Sequence, residues 1–314
     1  MKFNLRSLAV LAICLLISIP PANAWNSVGH MAVAWVAWQQ LNPTTRHRAI
    51  VLIKKNSWYK KKWRTYIPKD ASTDDKNLYI FMMAATWPDE IKANNSGYKS
   101  DGNIPPNTSE ATKNTGYRDK YMHKYWHFID TPFSTDGTQL PDTPKPNAET
   151  QIGVFRQTLA SNAKDSLKSY DLVWILHLVG DVHQPLHCTT RVTASEPLGD
   201  AGGNDVKLTD APGELHGYWD NILGKGTTSD FLKAVQAAQT LPAAGANASD
   251  ANEADWVQEG FKLAQSSVYV APVGASVGPY TLDAEYKTNS LALAQKQVAL
   301  AGARLANLLN TNLK

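Results

Sequence analysis

The chain has 314 residues, with 31 basic and 28 acidic side chains and a formal charge of +3. Without Lys2 and Arg6 the balance is 29 to 28, which argues against a protein held to nucleic acid by bulk positive charge alone. No repeat or low-complexity tract interrupts it, and about 290 residues are enough for one large domain with its own core.

Taken in order, the first segment reads as a leader. Lys2 and Arg6, an apolar run over 8–19 and the small-residue site Ala22-Asn23-Ala24 have the pattern of a secretory signal peptide. The run is too short to span a bilayer. The expected organisation is therefore a 1–24 signal peptide followed by a 25–314 domain that begins at Trp25 and is secreted or periplasmic. Cys14 lies in the leader, so Cys188 alone remains and no intramolecular disulfide can form. Bound metal can supply cross-links instead.

Helical spacing appears over 29–41, 43–55, 74–93, 148–160, 170–181, 230–239, 251–265 and 281–309. In the last stretch Leu282, Tyr286, Leu293, Leu300, Leu305 and Leu308 mark one face. Alternating strands are scarce, with 205–209 the best short candidate. The expectation is a mainly α, single-domain fold with long loops and at most a short β element. Three loops, 97–116, 131–147 and 189–204, are rich in Gly, Pro, Asn, Ser and Thr, and loops this long inside a compact domain are more often functional than idle. All three flank segments that carry histidine.

The densest chemistry is His177-Leu-Val-Gly-Asp181-Val-His183-Gln-Pro-Leu-His187, which holds three of the eight histidines. His177 and Asp181 are four apart and share a helical face. Pro185 ends the helix and turns His187 elsewhere. Imidazole with carboxylate and no thiolate suits Zn²⁺ in a hydrolytic site; the plainer alternative is a run of hydrogen-bonded core histidines. His216 and Asp220 repeat the spacing, where a helical hydrogen bond is equally good for the pair alone. After processing, the amine and carbonyl of Trp25 can chelate one ion, because an α-amine titrates near ~7.7–8.0 and deprotonates cheaply, with His30 as a further donor; a frayed terminus is the alternative. Trp87-Pro88-Asp89 and Trp126-His127-Phe128-Ile129-Asp130 each place one polar group in an apolar strip, and each alone reads as a satisfied core group. The basic, aromatic stretch 54–64 reads as a nucleic-acid track or, more usually, a solvated turn.

Together these motifs resemble the secreted zinc-dependent single-strand-specific nucleases of the S-one/P-one type, in a superfamily with zinc phospholipases C. The ordered set is a terminal Trp with His five residues on, Trp-x-Asp, His-Phe-x-Asp, the 177–187 block, Gly202-Gly203-Asn204 and Leu215-His216-Gly-Tyr-Trp219-Asp220. The resemblance implies a mostly helical fold with a trinuclear zinc site in a cleft. One zinc would be held by Asp89, His127, His177 and Asp181. A second would take Trp25, His30 and the bridging Asp181, and the third His187, His216 and Asp220. His183 would support the ligands without binding metal; His47 and His123 match no motif and read as surface or packing residues.

The implied activity is hydrolysis of single-stranded DNA and RNA to 5′-phosphorylated products, with 3′-nucleotidase activity alongside. Asp89 would orient or deprotonate the attacking water. Lys92 stands where the family has arginine, so it keeps the charge without the bidentate fork. Phe128 would stack a base, with Asp130 and Asn204 reading its edges; stacking is worth roughly 1–3 kcal/mol per base and a duplex cannot offer it. The rival enzyme is a zinc phospholipase C, whose last ligand pattern resembles His-x3-Glu where this chain has His216 to Asp220. A non-catalytic zinc- or nucleic-acid-binding protein is the other class, and the filled ligand positions argue against it. No stable protein partner is implied and a monomer is the default. Sequons stand at Asn94, Asn107 and Asn247.

Overall fold

The computed structural model describes residues 25–314 except residue 107 and the side chains of residues 109 and 110. The leader read over 1–24 and the sequon at Asn107 lie outside the described residues. The helices are α1 (Ser27–Gln40), α2 (Pro43–Ile53), α3 (Arg64–Tyr66), α4 (Thr73–Ala84), α5 (Trp87–Glu90), α6 (Ala148–Ala160), α7 (Asp165–Asp181), α8 (Leu215–Asp220), α9 (Phe231–Gln239), α10 (Glu253–Leu263) and α11 (Ala284–Asn312). Two short strands, β1 (Pro132–Ser134) and β2 (Thr190–Val192), pair in parallel with Pro132 opposite Thr190. The fold is mainly α, as the helical spacing predicts.

The helix starts follow local chemistry. The Asn26 side chain accepts from the amides of Val28 and Gly29 at the head of α1, and Asn42 accepts from Thr45 before Pro43 opens α2. Asn147 and Thr150 form a reciprocal capping box on α6, and Asp283 caps α11. Each cap satisfies donors that a helix start leaves unpaired. The axis of the molecule is α7, buried without interruption from Lys168 to Asp181. A helix apolar on every side must be surrounded, and α1, α2, α5, α6 and α11 pack against it.

The structure departs from the sequence reading in three places. The helix expected over 74–93 breaks after Ala84 and restarts at Trp87. Pro88 has no N–H for the Ala84 carbonyl and its ring crowds that carbonyl. The 205–209 candidate forms only isolated bridges, Lys207 with Glu214 and Leu208 with Tyr280. The true strands lie in stretches expected to be loop, because three residues are too few to show alternation. Finally, α7 begins five residues before the expected start, at Asp165.

One buried acid gives a stability test. Asp171, fully buried on α7, accepts from Asn114 Nδ2 at 2.9 and 2.8 Å. Burial pushes its carboxyl up to about 7, whereas in the unfolded chain it titrates near ~3.9. The native state thus holds a proton that the unfolded state releases, and stability from this group is lost as pH rises through the folded value. Asp171→Asn is expected to gain on the parent between those two values and to keep a constant lead above the upper one. Urea unfolding of both proteins across that range measures the gap.

Candidate metal centre

Two turns of α7 carry the first pair. His177 Nε2 and Asp181 Oδ2 lie 3.4 Å apart, one helical turn from each other. The break before α5 leaves the Ala85 carbonyl open, and His177 Nδ1 donates to it at 2.7 Å. That bond fixes the proton on Nδ1 and turns the Nε2 lone pair inward.

His30 arrives from α1. Its ring stacks on His177 with centroids 3.7 Å apart, and its Nε2 lies 3.3 Å from Asp181 Oδ1. The approach depends on Gly180, since a Cβ there would sit 2.9 Å from His30 Nδ1. Among the described residues, neither ring nitrogen of His30 has a hydrogen-bond partner, and Asp181 Oδ1 has none either. Orphaned polar atoms in a dry core are costly unless a further group is meant to satisfy them.

His127 follows a short 3₁₀ turn, Lys124–Trp126. Its Nδ1 lies 3.1 Å from Asp181 Oδ2, 3.0 Å from His177 Nε2 and 3.8 Å from Asp89 Oδ1. Asp89 comes from α5, and its Oδ1 is also 3.5 Å from His177 Nε2. Lys92 Nζ donates to the same Asp89 oxygen at 2.8 Å.

A neighbouring group combines the turn after α7 with α8. His187 Nε2 and His216 Nε2 are 3.0 Å apart, and Asp220 Oδ2 is 3.5 Å from His216 Nε2. Each imidazole is oriented by a backbone carbonyl at 2.7 Å, His127 O for His187 and Gly202 O for His216. Gln184 Nε2 donates to Asp220 Oδ1 at 2.8 Å, and its Oε1 accepts from Leu186 N at 2.7 Å. The residue that aims Asp220 is therefore in the 177–187 block, although nothing in its spacing marks it.

Among the described residues, three sets of donors could hold an ion: His30, His177 and Asp181; Asp89, His127 and His177; and His187, His216 and Asp220. Within each, the ligand atoms lie within 4.8 Å of one another. Burial holds His30, His127, His177 and His187 well below the usual imidazole range, each further depressed by neighbouring cationic groups. His216 is brought down to about 4, again by burial first. Burial and then the Asp89 carboxylate push Asp181 up, while burial alone leads the same shift at Asp220. Converging neutral imidazoles with carboxylates that resist charge fit divalent cations, which ligate the one and compensate the other.

Trp25 is fully buried, with its ring against Gly29 and Gly180. The next amide, Asn26 N, donates to Asp220 O at 3.0 Å. Position 25 therefore lies between the helices that carry His30, Asp181 and Asp220.

Beside the centre opens a cavity of about 330 Å³ lined by Phe128, Asp130, Asn204, Lys92 and His216, among others. Burial, followed by Asp200, pushes the Asp130 carboxyl up to about 7. Asn204 Nδ2 donates to Ala201 O at 2.7 Å.

Other sequence candidates lie elsewhere. His183 donates from Nδ1 to Val179 O and accepts from Arg304 at Nε2, at 2.7 and 3.0 Å. The Cys188 thiol is buried and donates to Val182 O at 3.2 Å. His47 is exposed. His123 is buried, stacked on Trp126 at 3.6 Å, with its ring nitrogens 3.0 Å from Asp101 and 2.7 Å from Asp119. In the 54–64 stretch Lys54, Lys55, Lys60, Lys61 and Arg64 are exposed, while Lys62 pairs with Glu90 and Trp63 Nε1 donates to the same carboxylate at 3.2 Å, on the residue after Asp89.

A helical scaffold that gathers imidazoles and carboxylates from six segments into adjoining donor sets beside an open pocket has the features of a metal-dependent enzyme. The sequence matches the S1/P1 Nuclease family over residues 25–314, and the chain belongs to that family. It is similar to Endonuclease 3 of Arabidopsis thaliana, 24% identical over 99% of this chain and 96% of the relative. Endonuclease 4 of the same plant is 24% identical over 99% and 96%, and Endonuclease 5 is 26% identical over 92% and 90%. The chain is thus a hydrolase of the nuclease class, with nucleic acid as its substrate. Among the described residues no helix is long and apolar enough to cross a membrane.

Proposed function

We propose that this protein is a zinc-dependent endonuclease that hydrolyses phosphodiester bonds of single-stranded DNA and RNA, releases 5′-phosphorylated products and also acts on 3′-nucleotides. In this reading it is exported behind a leader removed after Ala24, and residues 25–314 are the working domain. The observation that carries the reading is the group of adjoining donor sets, one of whose histidines, His216, lines the pocket that also holds Phe128. Asp89, His127, His177 and Asp181 would hold one zinc; Trp25, His30 and Asp181 the second; and His187, His216 and Asp220 the third. Zinc bound there supplies a water acidic enough to attack at neutral pH and positive charge for the phosphate oxygens.

The chain's own groups do the rest. Asp89, fixed by Lys92 at 2.8 Å, orients the attacking water and takes its proton. Lys92 is almost wholly buried and presents its charge to the scissile phosphate from the cavity wall. Phe128 stacks one base. Asp130, half-buried and with its carboxyl pushed up to about 7 by desolvation and Asp200, and Asn204 meet that base's polar edge. Single strands are selected because a base must leave any stack to reach Phe128.

Purified, processed protein is expected to turn over denatured DNA and RNA at least about a hundredfold faster than phosphatidylcholine, with duplex DNA well behind the single strand. End-group analysis should find 5′-phosphates. A preference for the phospholipid would replace the nuclease reading with the phospholipase one.

A further inference from the structure

We propose that Ile104 and Leu198 form a second, apolar subsite that grips the nucleobase next to the one stacked on Phe128. The inference rests on the reading of the Phe128 cavity as the nucleotide pocket.

Among the described residues, Leu198 at 88% and Ile104 at 77% are the most exposed large hydrophobic side chains; the next, Leu232, stands at 54%. A single exposed aliphatic residue needs no explanation. These two come from separate loops, yet both line the cavity that contains Phe128. Apolar side chains gathered at the mouth of a polar site mark a contact surface.

Neither is a loose loop tip. Leu198 sits on a closed turn in which Gly199 N donates to Glu196 O and Asp200 N to Arg191 O, both at 3.0 Å. Gly199 has φ +93°, and a Cβ there would collide with the Thr190 hydroxyl on β2. Only glycine lets this turn fold against the strand and hold Leu198 outward. On the other side, Asp101 is anchored by His123 at 3.0 Å, and Lys99 pairs with the 120–122 backbone through bonds of 2.7 and 2.9 Å. Two prolines, Pro105 and Pro106, then follow Ile104 directly. Aliphatic groups held in place before binding lose little entropy when a ligand arrives.

A nucleobase fits what these posts offer. It is flat, with apolar faces and polar edges, so aliphatic side chains can cover its faces without reading its identity. Lys92 and Lys124 line the same cavity and complement the phosphates of a strand running through it. The subsite would favour a polynucleotide over a mononucleotide and accept any base. In a duplex both faces of the base are covered, so it would be excluded.

The test is the exposed double variant Ile104→Ser/Leu198→Ser, compared with Phe128→Ala, in metal-loaded protein. KM is measured for single-stranded oligothymidylate, and the inhibition constant for thymidine 5′-monophosphate. The double variant is expected to raise the oligomer KM about tenfold, a difference of about 1.4 kcal/mol, while kcat, melting temperature and mononucleotide inhibition stay at parental values. Ile104→Met/Leu198→Met should restore the oligomer KM. An unchanged oligomer KM, or an equal loss on oligomer and mononucleotide, overturns the subsite. Phe128→Ala should weaken both ligands; if it weakens neither, the pocket assignment itself fails, whatever the double variant does.

Discussion

Asp181→Asn is expected to lower turnover of single-stranded DNA by roughly three orders of magnitude and to cost more than one bound ion per chain. The reason lies in its two oxygens. Oδ1 faces His30 at 3.3 Å, whereas Oδ2 faces His127 at 3.1 Å and His177 at 3.4 Å. One carboxylate therefore faces histidines of two donor sets, and in the proposed reading it would serve both. Asparagine keeps the volume, removes the charge and puts an N–H₂ donor where a lone pair is needed. The metal-free fold should tolerate the change, because burial and the nearby Asp89 already oppose a charge at Asp181. In metal-loaded protein the stability gained from ion binding should shrink, since a ligand stabilises only the state that binds it. Melting curves with and without chelator, together with elemental analysis, separate these effects. Parental metal content in the variant would remove Asp181 from the bridging role.

The second large effect is expected from one extra residue ahead of Trp25. An extension converts a free amine into an amide nitrogen, which has no lone pair to give a cation. Trp25 is packed without space against Gly29 and Gly180, and Asn26 N is tied to the backbone of the helix that ends in Asp220. The Asn26 side chain meanwhile caps α1 and bonds to Asn221 and Gly224. Position 25 cannot swing aside without losing these contacts. Extended protein is expected to lose one ion per chain and about a hundredfold in activity, with little change in helix content. Full activity with an intact extension would refute a ligand role for the terminal amine.

The parts of the site that could be read in the sequence are those written in one helix. His177 with Asp181 and His216 with Asp220 stand four apart, and both pairs do share a face. Asp89 and His127 could not be found by spacing. Each reaches the centre from a separate short turn, and one of those turns exists only because Pro88 breaks the helix predicted through it. Resemblance alone pointed to them. Gln184 behind Asp220, and Arg304 behind His183, depend on contacts 36 and 121 residues apart. The basic stretch at 54–64 illustrates the same limit. Its charge pattern reads as a nucleic-acid track or, more usually, a solvated turn; Lys54, Lys55, Lys60, Lys61 and Arg64 are exposed, whereas Lys62 and Trp63 turn to Glu90 and brace the helix that carries Asp89. Helices announced themselves through apolar periodicity, but two three-residue strands had too little length to do so.

The most direct test of the whole account is the metal content of correctly processed protein, measured beside its activity on single-stranded nucleic acid. Three tightly held zinc ions per chain, with activity lost on their removal and regained on their return, is the predicted result. Active, trimmed protein that holds no divalent ion would contradict it.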